Sequence, residues 1–357
     1  MTRRRPIPLM AVTAIVLAWA ARSSGVVIVE PGDDPDRAHW PSVLSPGSKP
    51  ADSVGRTAGK TLNENLGALI TLSALVLGEP VDNSTLPPPF RKLTHLHKAL
   101  GKPGPGDWLA NHREDGQTYD EYVLSNPVRP AARRRVIYIQ PLGEFTDTQR
   151  KIIQLTAEFM GICYQLPVRV RKDLPMSLIP QRARRVHPQW KVPQVLSTYV
   201  LKDVLKPRLP ADAVAMIAFT ASDLWPGENW NFVFGQASLA ERVGVWSIHR
   251  FGDPDKGEAS FRLTLRRTLA TAVHETGHMF SLAHCIYYEC CMCGSNSLAE
   301  ADRTPLWFCP QCMAKLCYAT DAKPEKRLKE LAAFAKAQGL VREEDFWRKS
   351  LAAMEEK

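Results

Sequence analysis

The sequence predicts an α/β (α+β) fold around a twisted, mostly parallel sheet, and three observations carry that expectation. Between residues 133 and 281, short apolar runs alternate with stretches of helical periodicity, the pattern of strands joined by helices. The chain has 357 residues, room for one large domain or two medium ones. Its composition, 45% hydrophobic and 23% charged, suits a chain that buries a core and excludes an intrinsically disordered protein.

Residues 136–139 (VIYI) read as the first strand of the sheet. Residues 146–164 place Ile152, Leu155, Phe159 and Ile162 at helical spacing behind a Thr/Asp cap. A strand at 167–170, a helix at 195–205 and a fully apolar strand at 213–219 (AVAMIAF) follow. Two further strands are expected at 231–234 and 243–248, with Trp225, Trp230 and Trp246 in the core around them. Residues 263–281 form the next helix, and 285–317 look irregular. Pro324 then opens a helix whose apolar face is Leu328, Leu331 and Ala335, with Gly339 closing it. A last stretch with Phe346, Trp347, Leu351 and Met354 packs back on the domain.

The first 20 residues have the pattern of a signal peptide: Arg3, Arg4 and Arg5, an apolar stretch over 7–21, and Ala18-Trp19-Ala20 as a small-x-small cleavage site. The alternative is a buried N-terminal helix. Cleavage would make the protein secreted or periplasmic, and a retained segment would leave it cytoplasmic. Removing residues 1–20 lowers the formal charge from +9 to +6, a modest excess that gives no argument for nucleic acid. No run of 18 apolar residues exists, so no stable transmembrane span is expected. Residues 21–89, rich in Pro, Gly, Ser and Asp, read as an arm or linker. Within it, the apolar run 65–78 reads as a buried helix, and a short helical stretch over 90–100 comes after the arm.

Seven of the eight cysteines lie between Cys285 and Cys317, and Cys163 alone stands outside. A cluster so tight beside histidines is metal-ligand spacing and not a disulfide scaffold. Just before it runs His274-Glu275-Thr276-Gly277-His278, with His284 six residues further on. Residues four apart share a helix face, so His274 and His278 can grip one zinc ion with neutral imidazoles. Glu275, one step round the helix, can take the proton of a zinc-bound water during attack on a carbonyl. His284 lies too far along for the same face, so the helix must end and turn to deliver it. Three histidines would leave the fourth zinc position exchangeable, as catalysis needs. An acidic third ligand, Glu300 or Asp302, is the runner-up.

With these residues in place, the chain resembles the metzincin zinc peptidases, and among them the archaemetzincins. Their pattern HExxHxxGxxHC, then CxM and a later CxxC, reads here as residues 274–285, Cys290-Cys291-Met292 and Cys309-Pro310-Gln311-Cys312. Segments 223–226, 231–237, 242–245 and 300–303 are similar to the same family, and the likeness spans about residues 90–318. The resemblance implies a metzincin-like catalytic domain over 90–318, its sheet carrying an antiparallel edge strand. A small zinc-stabilised irregular subdomain would follow the active-site helix, and residues 319–357 would form a helical tail. It implies two zinc ions per chain. One is catalytic, on His274, His278 and His284 with Glu275 as general base. The other is structural, on Cys285, Cys290, Cys309 and Cys312, a set of four thiolates with no open position. Met292 would be the Met-turn residue beneath the catalytic metal. The expected partner is a peptide or protein substrate, held in extended form by Asn231, Phe232, Val233, Phe234 and Gly235 acting as the edge strand. An ordinary core strand is the alternative there.

Two features depart from the family pattern. Ser281 stands where the family has a glycine, a substitution that costs roughly 1 kcal/mol if the turn needs a positive φ. Cys291 and Cys293 are extra thiols that leave the choice among Cys290, Cys291 and Cys293 open. Cys163 and Cys317 read as small apolar core residues. The basic stretch 169–191 carries seven Lys and Arg against Asp173 alone, but Trp190 is its single aromatic. A solvated loop therefore ranks above a nucleic-acid surface. A zinc-stabilised binding protein without turnover is the rival function, and nothing in the sequence addresses oligomeric state.

Overall fold

The computed structural model describes residues 81–228 and 230–356. The signal-peptide pattern and the apolar run 65–78 lie outside them. Five strands form the main sheet: β1 (Val136–Leu142), β2 (Val168–Val170), β5 (Ala213–Thr220), β7 (Gly235–Ser238) and β8 (Val243–Ser247). Their order is β2-β1-β5-β8-β7, all parallel except the β7–β8 pair at one edge. A second, three-stranded sheet joins β3 (Arg184–Val186), β4 (Pro193–Leu196) and β6 (Asp223–Trp225). The mixed α/β architecture with a mostly parallel sheet is therefore present, with its antiparallel strand at the edge.

The apolar runs of β1 and β5 are buried along their whole length because both faces of the sheet are covered. Side chains alternate across a strand, and the two cores divide accordingly. Ile137 and Ile139 of β1 with Ala215, Ile217 and Phe219 of β5 face the larger core. Val136 and Tyr138 with Met216 and Ala218 face the smaller one, against Val200, Leu201 and Val204. Trp246 of β8 lies in the larger core, fully buried, its indole spread where Cβ atoms on Gly244 or Gly235 would collide with it. Trp225 and Trp230 are only partly buried, so of the three expected core tryptophans Trp246 alone fits. The reason lies in length: β6 ends at Trp225, whose ring carries Arg185 on its face.

Helix α1 (Tyr119–Leu124) and the long α2 (Asp147–Tyr164) both begin with a complete capping box, on Thr118 with Glu121 and on Thr146 with Gln149. Helix α3 (Glu258–Met279) starts five residues earlier than the apolar periodicity suggests, its first five residues carrying one large apolar side chain, Phe261. It buries Leu265, Leu269, Ala272, Val273 and Thr276, one stripe at helical spacing, against the sheet and α2. The expected helix over 195–205 is instead the end of β4, one short turn (Ser197–Tyr199) and a π-helical segment (Val200–Leu205). The expected irregular stretch 285–317 contains α4 (Leu298–Arg303), capped by Ser297 Oγ, and α5 (Pro310–Thr320), with proline in its first turn. Helices α6 (Pro324–Ala337) and α7 (Val341–Glu355) close the chain.

Both ends of the described chain share the larger core. Leu86 is 2% exposed, and Asn83 bonds to Tyr288 and Gln311. At the other end Phe334 and Trp347 pack on Phe159 of α2. The packed body thus starts before residue 90 and includes the terminal helices. Among the described residues no helix is long and apolar enough to cross a membrane.

Candidate active site

Helix α3 carries His274, Glu275 and His278 on its last two turns and then stops at Phe280. Ser281 takes φ +68°. Its N–H bonds His278 O at 2.8 Å, and Leu282 N–H bonds Gly277 O at 3.1 Å, the paired bonds of a Schellman stop. The serine therefore adopts the left-handed conformation that suits glycine, and the turn still delivers His284 to the helix. Ser281 Oγ accepts a bond from Val128 N–H at 3.0 Å, which offsets part of the backbone cost. Ser281→Ala loses that bond and keeps the strain, so it is expected to be less stable than Ser281→Gly by about 1 kcal/mol. Urea unfolding of the two variants side by side measures the difference.

The side-chain nitrogens of His274, His278 and His284 converge, all within 4.8 Å of one another. His274 and His278 face each other through Nε2 atoms 3.0 Å apart. Each Nδ1 has its own acceptor: Cys291 O at 2.8 Å for His274, Leu282 O at 2.7 Å for His278, and Glu114 Oε1 at 2.6 Å for His284. An acceptor at Nδ1 puts the proton there and leaves a lone pair on every Nε2. The Nε2 of His284 is buried with no partner among the described residues. Converging lone pairs repel unless a cation sits among them, so these residues fit a zinc ion. Burial, with the neighbouring imidazoles, holds His274 at about 3 and His278 well below the ordinary histidine range, so both are neutral and able to ligate at physiological pH.

Glu275 lines the cleft beside His274, and its burial pushes the carboxyl up to about 8 in the metal-free chain. The same cleft is bounded by Phe234, Gly235 and Phe251 on the sheet side and by Leu298 and Ala301 of α4. Met292 is fully buried against Gly277, the residue just before the second helix histidine. A Cβ on Gly277 would come within 2.7 Å of Met292 Sδ. Gly277→Ala must therefore displace Met292 from beneath the histidines, with an expected loss of roughly 1–3 kcal/mol and weaker zinc retention. Thermal unfolding with and without zinc checks both.

The four sulfurs of Cys285, Cys290, Cys309 and Cys312 form a second convergent set, fully buried, with Cys285 and Cys309 3.6 Å apart. Main-chain N–H groups of Met292 and Cys309 point at Cys290 Sγ, as they would at a thiolate. S–H donors from Cys290, Cys293, Cys309 and Cys312 hold Cys285 well below the usual thiol range, while burial lifts Cys290 and Cys309 above it. One negative charge is thus accommodated by neighbours, and four would need a cation. Cys291 turns its sulfur to the Ala270 carbonyl, and Cys293, which bonds Tyr288 O and Cys285, lies outside the four mutually convergent sulfurs, which leaves Cys290 in the set. All eight cysteines are free of disulfides; Cys317 is buried in the core, and Cys163, also buried, is more than a small apolar residue because its sulfur accepts from the Arg327 guanidinium at 3.2 Å.

The runner-up ligands are engaged elsewhere. Glu300 accepts from Trp108 N–H and Asn296 N–H, and Asp302 forms a two-bond pair with Arg267. Of Asn231, Phe232, Val233, Phe234 and Gly235, the segment expected as the edge strand, Gly235 alone lies within β7, while Val233 bridges Leu224 of β6 and Phe234 O accepts from Ser247 N–H of β8 at 2.7 Å. Phe232 instead packs under Arg250 and Phe234 stacks on Phe251, and the strand β7 runs on to Ser238. In the basic stretch, Arg171, Arg184 and Arg185 place guanidinium donors on main-chain carbonyls of Arg208, Ile179 and Trp230.

One residue at the centre escapes sequence reasoning: Glu114, in the charged loop His112-Arg113-Glu114-Asp115. Burial pushes its carboxyl up, but bonds from His284 and Trp108 outweigh this and the net shift is downward.

A helix that presents HExxH, a turn that returns a third histidine and a methionine packed beneath them define a class, the metzincin-type zinc metallopeptidases. The sequence model of peptidase family M54 matches residues 169–317. Human archaemetzincin-2 is 33% identical over 274 residues, covering 68% of this chain and 75% of that protein. The archaemetzincin of Thermococcus kodakarensis is 34% identical over 190 residues, 51% of this chain and 95% of the relative. The crystal structure of archaemetzincin from Archaeoglobus fulgidus, complexed with malonate, matches 50% of this chain and 99% of its own, at 28% identity and a TM-score of 0.40. The chain belongs to the archaemetzincin family of zinc metallopeptidases, and is a hydrolase of peptide bonds.

Proposed function

We propose that His274, His278 and His284 hold a catalytic zinc through Nε2 and that Glu275 is the general base. The observation that carries this reading is the acceptor at every Nδ1, which fixes three lone pairs toward one point. Zinc bound there supplies polarisation of the scissile carbonyl and acidification of water. Glu275 accepts the proton of the attacking water on a carboxylate oxygen and delivers it to the leaving amine nitrogen. Its burial favours the protonated form, which suits the second half of that transfer.

The peptide lies extended along β7, whose outer edge has no strand partner among the described residues, and its main chain bonds there by strand addition. Gly235 marks the point where β7 meets the cleft, and Phe234 and Phe251 give that end an apolar wall. Asn231, Phe232 and Val233 act behind it, as support for the wall. Cys285, Cys290, Cys309 and Cys312 hold a second, structural zinc that pins the segment delivering His284 and Met292, which makes two ions per chain. Residues 1–20 direct export, so the mature chain isolated from its host would begin close after Ala20.

Native mass spectrometry tests the ligand assignment. Wild type is expected to carry two zinc ions and His278→Ala one. Two ions retained by His278→Ala would overturn it.

A further inference from the structure

We propose that Glu114 is a positioning residue for the third zinc ligand: its carboxylate orients the His284 ring and makes the segment around it part of the catalytic centre. The inference rests on the reading that His284 ligates zinc. It concerns residues far upstream of the HExxH helix and outside the stretch 169–317 that matches the family model.

The contact is built on both sides. Glu114 Oε1 lies 2.6 Å from His284 Nδ1 and takes a second bond from Trp108 Nε1 at 2.9 Å, while Oε2 is buried with no partner among the described residues. Trp108 is itself held: its ring stacks on His112 at 3.8 Å and meets His284 edge-on at 5.3 Å. It also fills the space over Gly294, where a Cβ would come within 2.5 Å of the indole. The same segment grips the turn that carries His284. Gln117 Oε1 accepts from Ala283 N–H at 3.2 Å, Tyr122 OH bonds Phe280 O at 2.7 Å, and Val128 N–H bonds Ser281 Oγ.

The three imidazoles are not oriented alike. His274 and His278 ride on a helix and bond to main-chain carbonyls, whereas His284 comes from an irregular turn and bonds to a charged side chain. A carboxylate on Nδ1–H fixes the ring and the tautomer and makes Nε2 a better donor to a cation. Loss of such a partner ordinarily weakens metal binding about 10- to 100-fold. The ligand with the least backbone support thus has the strongest orienting group.

The test is a zinc affinity measurement on the full chain, by competition with a chromophoric chelator, for wild type, Glu114→Gln and Glu114→Ala. Each is also loaded with cobalt(II), whose d–d bands report ligand geometry, and the zinc-free forms are unfolded in urea. The expected result is affinity at the histidine site reduced about tenfold in Glu114→Gln and about 100-fold in Glu114→Ala. The cobalt bands shift in both, and the unfolding midpoint of Glu114→Gln stays that of wild type. Glutamine fills the same space, so it decides the matter even if Glu114→Ala folds poorly. Wild-type affinity and spectrum in Glu114→Gln would reduce Glu114 to a space-filling role and overturn the proposal. Cobalt bands unmoved by His284→Ala would instead overturn the ligand assignment beneath it, a separate and recognisable failure.

Discussion

Zinc-loaded Glu275→Gln is expected to cleave peptides roughly 10²- to 10⁴-fold more slowly than wild type, with its zinc content unchanged. Glutamine keeps the size of the side chain and its place in the cleft but cannot take a proton from water. In the proposed role Glu275 acts on the reacting atoms and not on the bound peptide at rest, so the loss should fall on kcat. Steady-state kinetics with metal content measured on the same preparation checks it. A second consequence separates chemistry from folding. In the zinc-free chain the Glu275 carboxyl titrates at about 8, above its ordinary value of 4.5, because it is buried. The unfolded chain releases that proton near 4.5 and the folded chain holds it until about 8, so stability is lost progressively as pH rises between the two. Zinc-free Glu275→Gln should therefore match wild type near pH 4 and exceed it at pH 8. Equal stability of the two at pH 8 would show that burial of this carboxylate carries no cost.

The second large effect belongs to the sulfur cluster. Cys290→Ser is expected to lose one zinc ion and with it the ordered fold of residues 285–317, so that His284 and Met292 are no longer held and activity disappears. Structural zinc sites contribute their binding free energy to folding, because the unfolded chain has no preformed site. Cys290 sits at the centre of this argument, since two main-chain N–H groups converge on its sulfur. Cys291→Ser is the control: its sulfur turns away to the Ala270 carbonyl, and the variant should keep both ions and its activity, whereas Cys293→Ser, whose sulfur bonds Tyr288 O and Cys285, tests the choice of Cys290 within the set. Metal analysis with near-ultraviolet circular dichroism reads the outcome. Loss of zinc from Cys293→Ser with retention in Cys290→Ser would exchange the two assignments.

Local signals made much of this legible. β1 and β5 announce themselves as unbroken apolar runs because the sheet is covered on both faces. His274, Glu275 and His278 are readable because a helix converts a four-residue spacing into proximity. Ser281, at the family's glycine position, raises a question of turn geometry from sequence alone, and its φ of +68° answers it. What escaped depends on distance or on competition. Glu114 lies 170 residues from His284, and a charged loop looks the same whether its carboxylate is solvated or inside an active site. Phe232 and Phe234 alternate as in a strand, and pairing does run back from Gly235, but Val233 bridges Leu224 of the second sheet, so the regular ladder of β7 starts only at Gly235. Helices α4 and α5 had readable signals, Ser297 three residues before Glu300 and Pro310 in a first turn, but the density of cysteines around them masked the periodicity.

The central claim is that three histidines, one glutamate and a zinc ion at the end of α3 hydrolyse peptide bonds. It is tested most directly by mapping, with mass spectrometry, the cuts made in a diverse peptide library. Three samples suffice: the zinc-loaded chain, the chain stripped by a chelator, and the stripped chain after zinc is restored. The account predicts cuts in the first and third and none in the second, and their positions will separate internal cleavage from removal of N-terminal residues. A chain that holds zinc at the histidines and at the cysteines, yet cuts nothing in the library, would contradict it.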